Sequence, residues 1–260
     1  MCKIWIWRSG MRSLSGPDKS SNLTIGFIPA RWHSSRFEGK PLAKINGIPM
    51  IRRVYERALM AKNLDSVVVL TDDERINDYC SKREMRCIVI EDECRTGTDR
   101  CAKAIELVDG SKFVNIQGDE PLINPEAIDT LIEIHNDDIG VSNAFTKVQG
   151  MYKQHDTNIV KVVKNKLSLA QYFSRLPIPF AQKEEMPFNQ QMGLYCFSRK
   201  MLEIFPRLDI GALEKAESVE MLRFLENGYD VQMVRVEDEG LSVDTMQDLK
   251  RVEEFLNAFN

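Results

Sequence analysis

The chain has 260 residues, 43% hydrophobic and 28% charged, the balance of a water-soluble globular protein with room for one large core. Its net charge of −4 offers no basic field to a nucleic acid, and no apolar run approaches the roughly 18 residues that a membrane-spanning helix needs. Nucleic-acid partners and a membrane span are therefore not expected, and a small anionic ligand needs only a local basic pocket.

Residues 1–22, MCKIWIWRSGMRSLSGPDKSSN, are basic and then rich in Ser and Gly, without the apolar core or small-residue cleavage site of a secretory leader. They are expected as a disordered extension preceding one domain over 23–260. From there strands and helices alternate. TIGFIPA reads as a buried strand, RWHSSRFEGKPL as a loop, PMIRRVYERALMAK as an amphipathic helix and SVVVLTD as a second strand. DERINDYCSKRE, RCIVIED, TGTDRCAKAIELV and KFVNIQGDEP continue as helix, strand, helix, strand. This order predicts an α/β fold with a twisted, largely parallel, doubly wound sheet, whose ligand sits beyond the carboxyl ends of the strands. The second half is less regular: VSNAFTKV and NIVKVVKN look extended, LAQYFSRLPIPF carries two prolines, and QQMGLYCFSRKML runs into a helix. An inserted arm is expected at about 164–195. SVDTMQDLKRVEEFLNAF reads as a strand tip and a helix capped by Asp244 or Thr245.

Cysteines 80, 87, 94 and 101 recur every seven residues, but they fall on different predicted elements and lack the close pairing of a zinc site. They are expected as reduced thiols of an intracellular enzyme. His33, His135 and His155 show no metal-ligand spacing, and no nucleophile motif occurs.

Three constellations carry chemistry. Arg31, Ser34, Ser35, Arg36, Gly39 and Lys40 lie in a strand-to-helix loop, where small residues let backbone N–H groups face an anion and the cations supply charge. Pro41 after Lys40 excludes a Walker loop, and no G-x-G-x-x-G fingerprint occurs. QGDEP ends the apolar strand FVNI, which puts Asp119 at the ligand edge, and SVDT brings Asp244 as a second acid. Two carboxylates completed by phosphate oxygens suit Mg²⁺, although an Asp at such a position is as often a helix cap.

Taken in order, PARWHSSRFEGKPLAKINGIPMI, TDDERI, RTGTDR, VNIQGDEPLI, NIVKVV, YFSRLPIPF, MGLYCFSR, ESVEMLRFLENG and VDTMQDL resemble the CMP-Kdo synthetase (3-deoxy-manno-octulosonate cytidylyltransferase) family from about residue 23 to the end. The resemblance implies a nucleotidyltransferase fold with a dimerisation arm, a cytoplasmic homodimer, Mg²⁺ as cofactor, and CTP and a sugar acid as partners. It also implies that Arg31, Ser35, Arg36 and Lys40 hold the triphosphate, with Thr98 and Arg100 at the nucleotide. Asp119 and Asp244 become metal ligands and, with Lys40 and Arg31, the catalytic set. Gln117, Arg175, Gln191, Tyr195, Glu217 and Glu220 fall near the sugar, Arg175 as a partner for its carboxylate. The chain departs from the family at Gln191, usually His, and at Met221, usually Gln, both at sugar-flanking positions. Glu38 and Met246 replace prolines. The expected reaction is attack of the anomeric hydroxyl of a 3-deoxy-2-ulosonic acid on the α-phosphorus of CTP, for cell-surface polysaccharide synthesis. A nucleotidyltransferase for another sugar, and a silent nucleotide-binding homologue, are the alternatives.

Overall fold

Strand β1 (Thr24–Ala30) is apolar on both faces because it lies inside a sheet with helices on either side. The computed structural model describes residues 22–33, 37–182, 186–238 and 241–258. After β1 come β2 (Lys44–Ile45) and β3 (Ile48–Pro49), a hairpin whose turn residues Asn46 and Gly47 both take positive φ, 46° and 78°. An Asn-Gly pair enters that left-handed region at little steric cost. Next are α1 (Met50–Ala58), β4 (Ser66–Thr71), α2 (Glu74–Ser81), β5 (Cys87–Val89), α3 (Gly97–Ala104), β6 (Lys112–Ile116) and α4 (Pro125–Ile134). The remainder holds β7 (Val141–Val148), α5 (Met151–His155), β8 (Lys161–Lys164), β9 (Ala170–Ser174), β10 (Phe188–Ser198), α6 (Arg199–Ile204), α7 (Ala212–Glu217), α8 (Met221–Glu226), β11 (Gln232–Arg235) and α9 (Met246–Ala258).

The sheet runs β11-β7-β10-β6-β1-β4-β5, with β8 joining β10 and β9 joining β8. Strands β5, β4, β1 and β6 pair in parallel, and β10 enters antiparallel between β6 and β7. The predicted mostly parallel α/β sheet is thus what forms, with one reversed strand near its centre. Residues 188–195 of the expected 164–195 arm belong to this central strand β10, so the sequence boundary cuts into the sheet. SVDT, expected as a strand tip, is instead irregular; Val243 donates its N–H to the Asp119 carbonyl at 2.9 Å.

Two apolar cores lie on the two faces, one around Phe27, Phe113 and Phe197 and the other around Ile28, Val69 and Ile116. Cys101 is packed in the first and Cys80 in the second, so the seven-residue spacing spreads across the sheet. One cross-strand row on the first face reads Val68, Phe27, Asn115, Tyr195, Asn143, Met233. Its apolar ends anchor the sheet, while its polar middle needs internal hydrogen-bond partners because it is buried.

Candidate active site

Beyond the ends of β1 and β6 lies a cleft lined by Arg31, Lys40, Arg95, Arg100, Gln117, Asp119 and Asp244. Lys40 reaches it from the one-turn helix after the 31–39 loop. Its Nζ donates to Asp119 Oδ2 at 2.7 Å, to the Val243 carbonyl at 3.0 Å and to Asp244 Oδ1 at 3.4 Å. Acids 125 residues apart therefore converge on one cation. Thr245 caps α9, its hydroxyl accepting from the Asp248 N–H at 3.2 Å while Asp248 Oδ2 accepts from the Thr245 N–H at 2.9 Å. Gly118 allows the tight approach of this loop to β1, since a Cβ there would sit 2.7 Å from the Pro29 carbonyl oxygen.

Two carboxylates closing on an ammonium form the oxygen donor set that a hard divalent cation also takes, so Asp119 and Asp244 fit Mg²⁺ with phosphate oxygens completing its shell.

The floor of the cleft is the start of α3. A capping box joins Thr96 and Asp99 there, and Gly97 keeps the backbone close to Gln117. Arg100, buried, donates to Asp72 Oδ2 at 2.7 Å, while its Nη1 has no partner among the described residues. A buried guanidinium N–H left over at the edge of a cleft is a ready donor for an anionic or carbonyl ligand. Thr98 is buried beneath; its N–H donates to Glu220 Oε2 at 3.3 Å and its hydroxyl accepts from Asn115 Nδ2 at 3.2 Å. Burial pushes the Glu220 carboxyl above its ordinary range, opposed by hydrogen bonds from Thr98 and Thr96. Burial likewise raises Tyr195 well above the usual phenol value, helped by the nearby Glu220, Glu120 and Asp119 carboxylates. Glu120 is pushed up to about 8, first by burial and then by Asp238 and Asp119.

The sequence-derived residues thus divide. Arg31, Lys40, Arg100, Gln117, Asp119 and Asp244 share the cleft, and Thr98, Tyr195 and Glu220 stand directly behind it. Ser35 and Arg36 lie outside the described residues. Arg175 and Glu217 form a separate knot: the guanidinium donates to the carbonyls of Glu217 at 2.7 Å and Thr157 at 2.9 Å, and the Glu217 carboxylate accepts from the Arg175 N–H and Ser174 hydroxyl, both at 2.8 Å. Arg175 in this state binds main chain. Gln191 donates to Asn143 Oδ1 at 2.9 Å. Met221, expected to flank the sugar, opens α8 and is wholly buried in the core with Phe224 and Leu222. Arg95, Asn115, Glu120 and Asn143 are not among the sequence-derived site residues; the one signal is for Asn115, a polar residue inside the apolar run FVNI, while Asn143 shares its strand with Ser142, Thr146 and Lys147.

Cations and carboxylates that meet at the carboxyl ends of parallel strands suit the phosphates of a nucleotide, the arrangement a nucleotidyltransferase needs. The family model described as cytidylyltransferase matches residues 25–236, and the chain belongs to that family, within its 3-deoxy-manno-octulosonate branch. It is similar to a 3-deoxy-manno-octulosonate cytidylyltransferase of Solibacter usitatus, 40% identical over 238 residues that cover 90% of this chain and 94% of that protein. It is also similar to an 8-amino-3,8-dideoxy-manno-octulosonate cytidylyltransferase of Shewanella halifaxensis, 38% identical over 236 residues, covering 88% of this chain and 96% of that one. A solved structure of CMP:2-keto-3-deoxy-manno-octonic acid synthetase complexed with CTP superimposes with a TM-score of 0.86 at 33% identity, covering 92% of this chain and all of that one.

Proposed function

We propose that the protein transfers CMP from CTP to the anomeric hydroxyl of a 3-deoxy-2-ulosonic acid of the octulosonate type. The new bond joins that oxygen to the α-phosphorus, the bond to the β-phosphate oxygen breaks, and pyrophosphate leaves while the hydroxyl proton passes to solvent. The observation that carries this reading is the convergence of Lys40, Asp119 and Asp244 in a cation-lined cleft of a cytidylyltransferase fold.

In this reading Lys40 leaves its carboxylate partners for the polyphosphate and, with Arg31, offsets the charge that grows on the leaving group. Asp119 and Asp244 would then hold Mg²⁺, which supplies charge neutralisation at the phosphates. Arg100 and Thr98, with Ser35 and Arg36, serve the nucleotide; Gln117, Gln191, Tyr195 and Glu220 serve the acceptor, Arg175 and Glu217 shape its surroundings, and no covalent intermediate is needed. No helix among the described residues is long and apolar enough to cross a membrane. A cytoplasmic enzyme of cell-surface polysaccharide synthesis, acting as a homodimer, completes the proposal. Exposed Leu167, Leu176 and Phe180 in the 164–195 stretch support the dimer.

The test is pyrophosphate release from CTP, UTP and ATP with the octulosonic acid, its 8-amino analogue and a sugar 1-phosphate. CTP with an octulosonic acid, dependent on Mg²⁺, is the expected combination. Turnover confined to the sugar 1-phosphate would overturn the reading.

A further inference from the structure

Asn143 lies in mid-strand on β7, fully buried, where a carboxamide is costly unless all its hydrogen bonds are made. Its two N–H hydrogens are shared among the carbonyls of Met192 at 2.9 Å, Leu194 at 3.1 Å and Ala144 at 3.2 Å. Carbonyl oxygens only accept, so these partners fix Nδ2 on that side and leave Oδ1 facing Gln191. Gln191 Nε2 must then be the donor in the 2.9 Å contact, which fixes the orientation of a second amide.

The held stretch is irregular. The β7–β10 register shifts between Gln191 and Tyr195, and such a break in a central strand re-aims the residues on either side of it. Gly193 sits in the break. Its carbonyl accepts from the Gln117 N–H at 3.1 Å, and its N–H donates to Glu120 Oε1 at 3.3 Å. A Cβ on Gly193 would lie 2.7 Å from Gln117 Cγ, so the contact is as close as backbone permits. Asn143 therefore fixes 192–194, these fix Gln117, and Gln117 lines the cleft beside Asp119. The cation Arg31 directly follows β1 and lies at that side of the cleft. In-line displacement puts the leaving pyrophosphate and the incoming hydroxyl on opposite sides of phosphorus. The acceptor then meets the β6–β10–β7 side.

We propose that Asn143 is a positioning residue for the acceptor: its carboxamide holds the break in β10 and the Gln191 amide so that Gln117, Gly193 and Gln191 present one fixed surface to the sugar acid. This rests on the transferase reading above.

The experiment measures steady-state kinetics of the full chain with CTP and the octulosonic acid for the natural protein, Asn143→Ser, Gln191→Ala and the double variant. Asn143→Ser should raise KM for the sugar acid about tenfold, with KM for CTP within about twofold. Gln191→Ala leaves the contacts of Asn143 with the carbonyls intact and should raise the same KM about threefold. Because one amide orients the other, the double variant should be no worse than Asn143→Ser. Equal rises in both KM values, or effects that multiply in the double variant, would overturn the proposal. Should Asn143→Ser fail to fold, an unchanged sugar KM in Gln191→Ala overturns it alone. A natural protein that releases no pyrophosphate from CTP with any octulosonic acid defeats the transferase reading and this inference with it; active natural protein with the wrong KM pattern defeats only the inference.

Discussion

The two halves of the sheet use their cations in opposite ways. On the parallel side, Lys40 and Arg100 pair with carboxylates at the rim of a cleft, where a polyphosphate can compete for them. On the β8–β9 side, Lys161 is wholly buried and donates to three main-chain carbonyls, those of Asp156 at 2.7 Å, Ile159 at 2.9 Å and Arg175 at 2.7 Å. Arg175 is tied in the same manner. Lys40 and Arg100, balanced by carboxylates at a cleft, are open to exchange for a ligand; Lys161, consumed by carbonyls, is architecture. Burial lowers the Lys161 pKa, as it must for an ammonium with no carboxylate partner at hydrogen-bond distance among the described residues.

Substitution at the two lysines breaks this contrast most strongly. Lys40→Ala should cut kcat by about 10²- to 10³-fold, the usual loss of a donor aimed at developing charge, with thermal stability retained. Lys161→Met should do the reverse: three carbonyls lose their donor, costing about 3 kcal/mol in a denaturant melt, with the KM for CTP little changed in the folded fraction. A collapse of stability in Lys40→Ala would contradict the distinction.

His135 sharpens it on the pH axis. Its Nδ1 lies 2.8 Å from Ser142 Oγ, whose hydroxyl donates to Gln232 Oε1 at 3.0 Å, so Nδ1 carries the proton and donates. Burial holds the ring down to about 4. Below the ordinary histidine value the unfolded chain takes up a proton that the folded one refuses, so stability falls as pH drops from 6.5 toward 4. Between pH 6.5 and 5 this amounts to about 2 kcal/mol. His135→Gln should flatten the melt profile over that window by this difference, and parallel profiles would refute the assignment.

The smallest effect is expected at Met221→Gln. An amide in that closed core costs about 1–2 kcal/mol of stability, while the KM for the sugar acid stays within about twofold. A sugar KM that moves sharply would return Met221 to the acceptor surface.

Legibility follows the same divide. TIGFIPA, SVVVLT and KFVNI are apolar runs bounded by turns, so the strands and the Asp119 edge could be read from period and punctuation. Lys40, Asp119 and Asp244 carry recognisable spacing, yet only the fold shows that they share one point, since 125 residues separate the acids. SVDT misled because it is irregular and Val243 hydrogen-bonds to a loop rather than a strand. Asn143, and the contacts that Gln191 and Arg175 make, were opaque for a different reason. Their partners are main-chain carbonyls or amides of other segments, and main chain leaves no trace in side-chain pattern.

The most direct measurement is phosphorus NMR of CTP incubated with the protein, Mg²⁺ and an octulosonic acid. The account predicts loss of the CTP signals with pyrophosphate and a CMP phosphodiester appearing in equal amounts. Release of free CMP without the phosphodiester, or CTP left intact with every octulosonic acid, would contradict it.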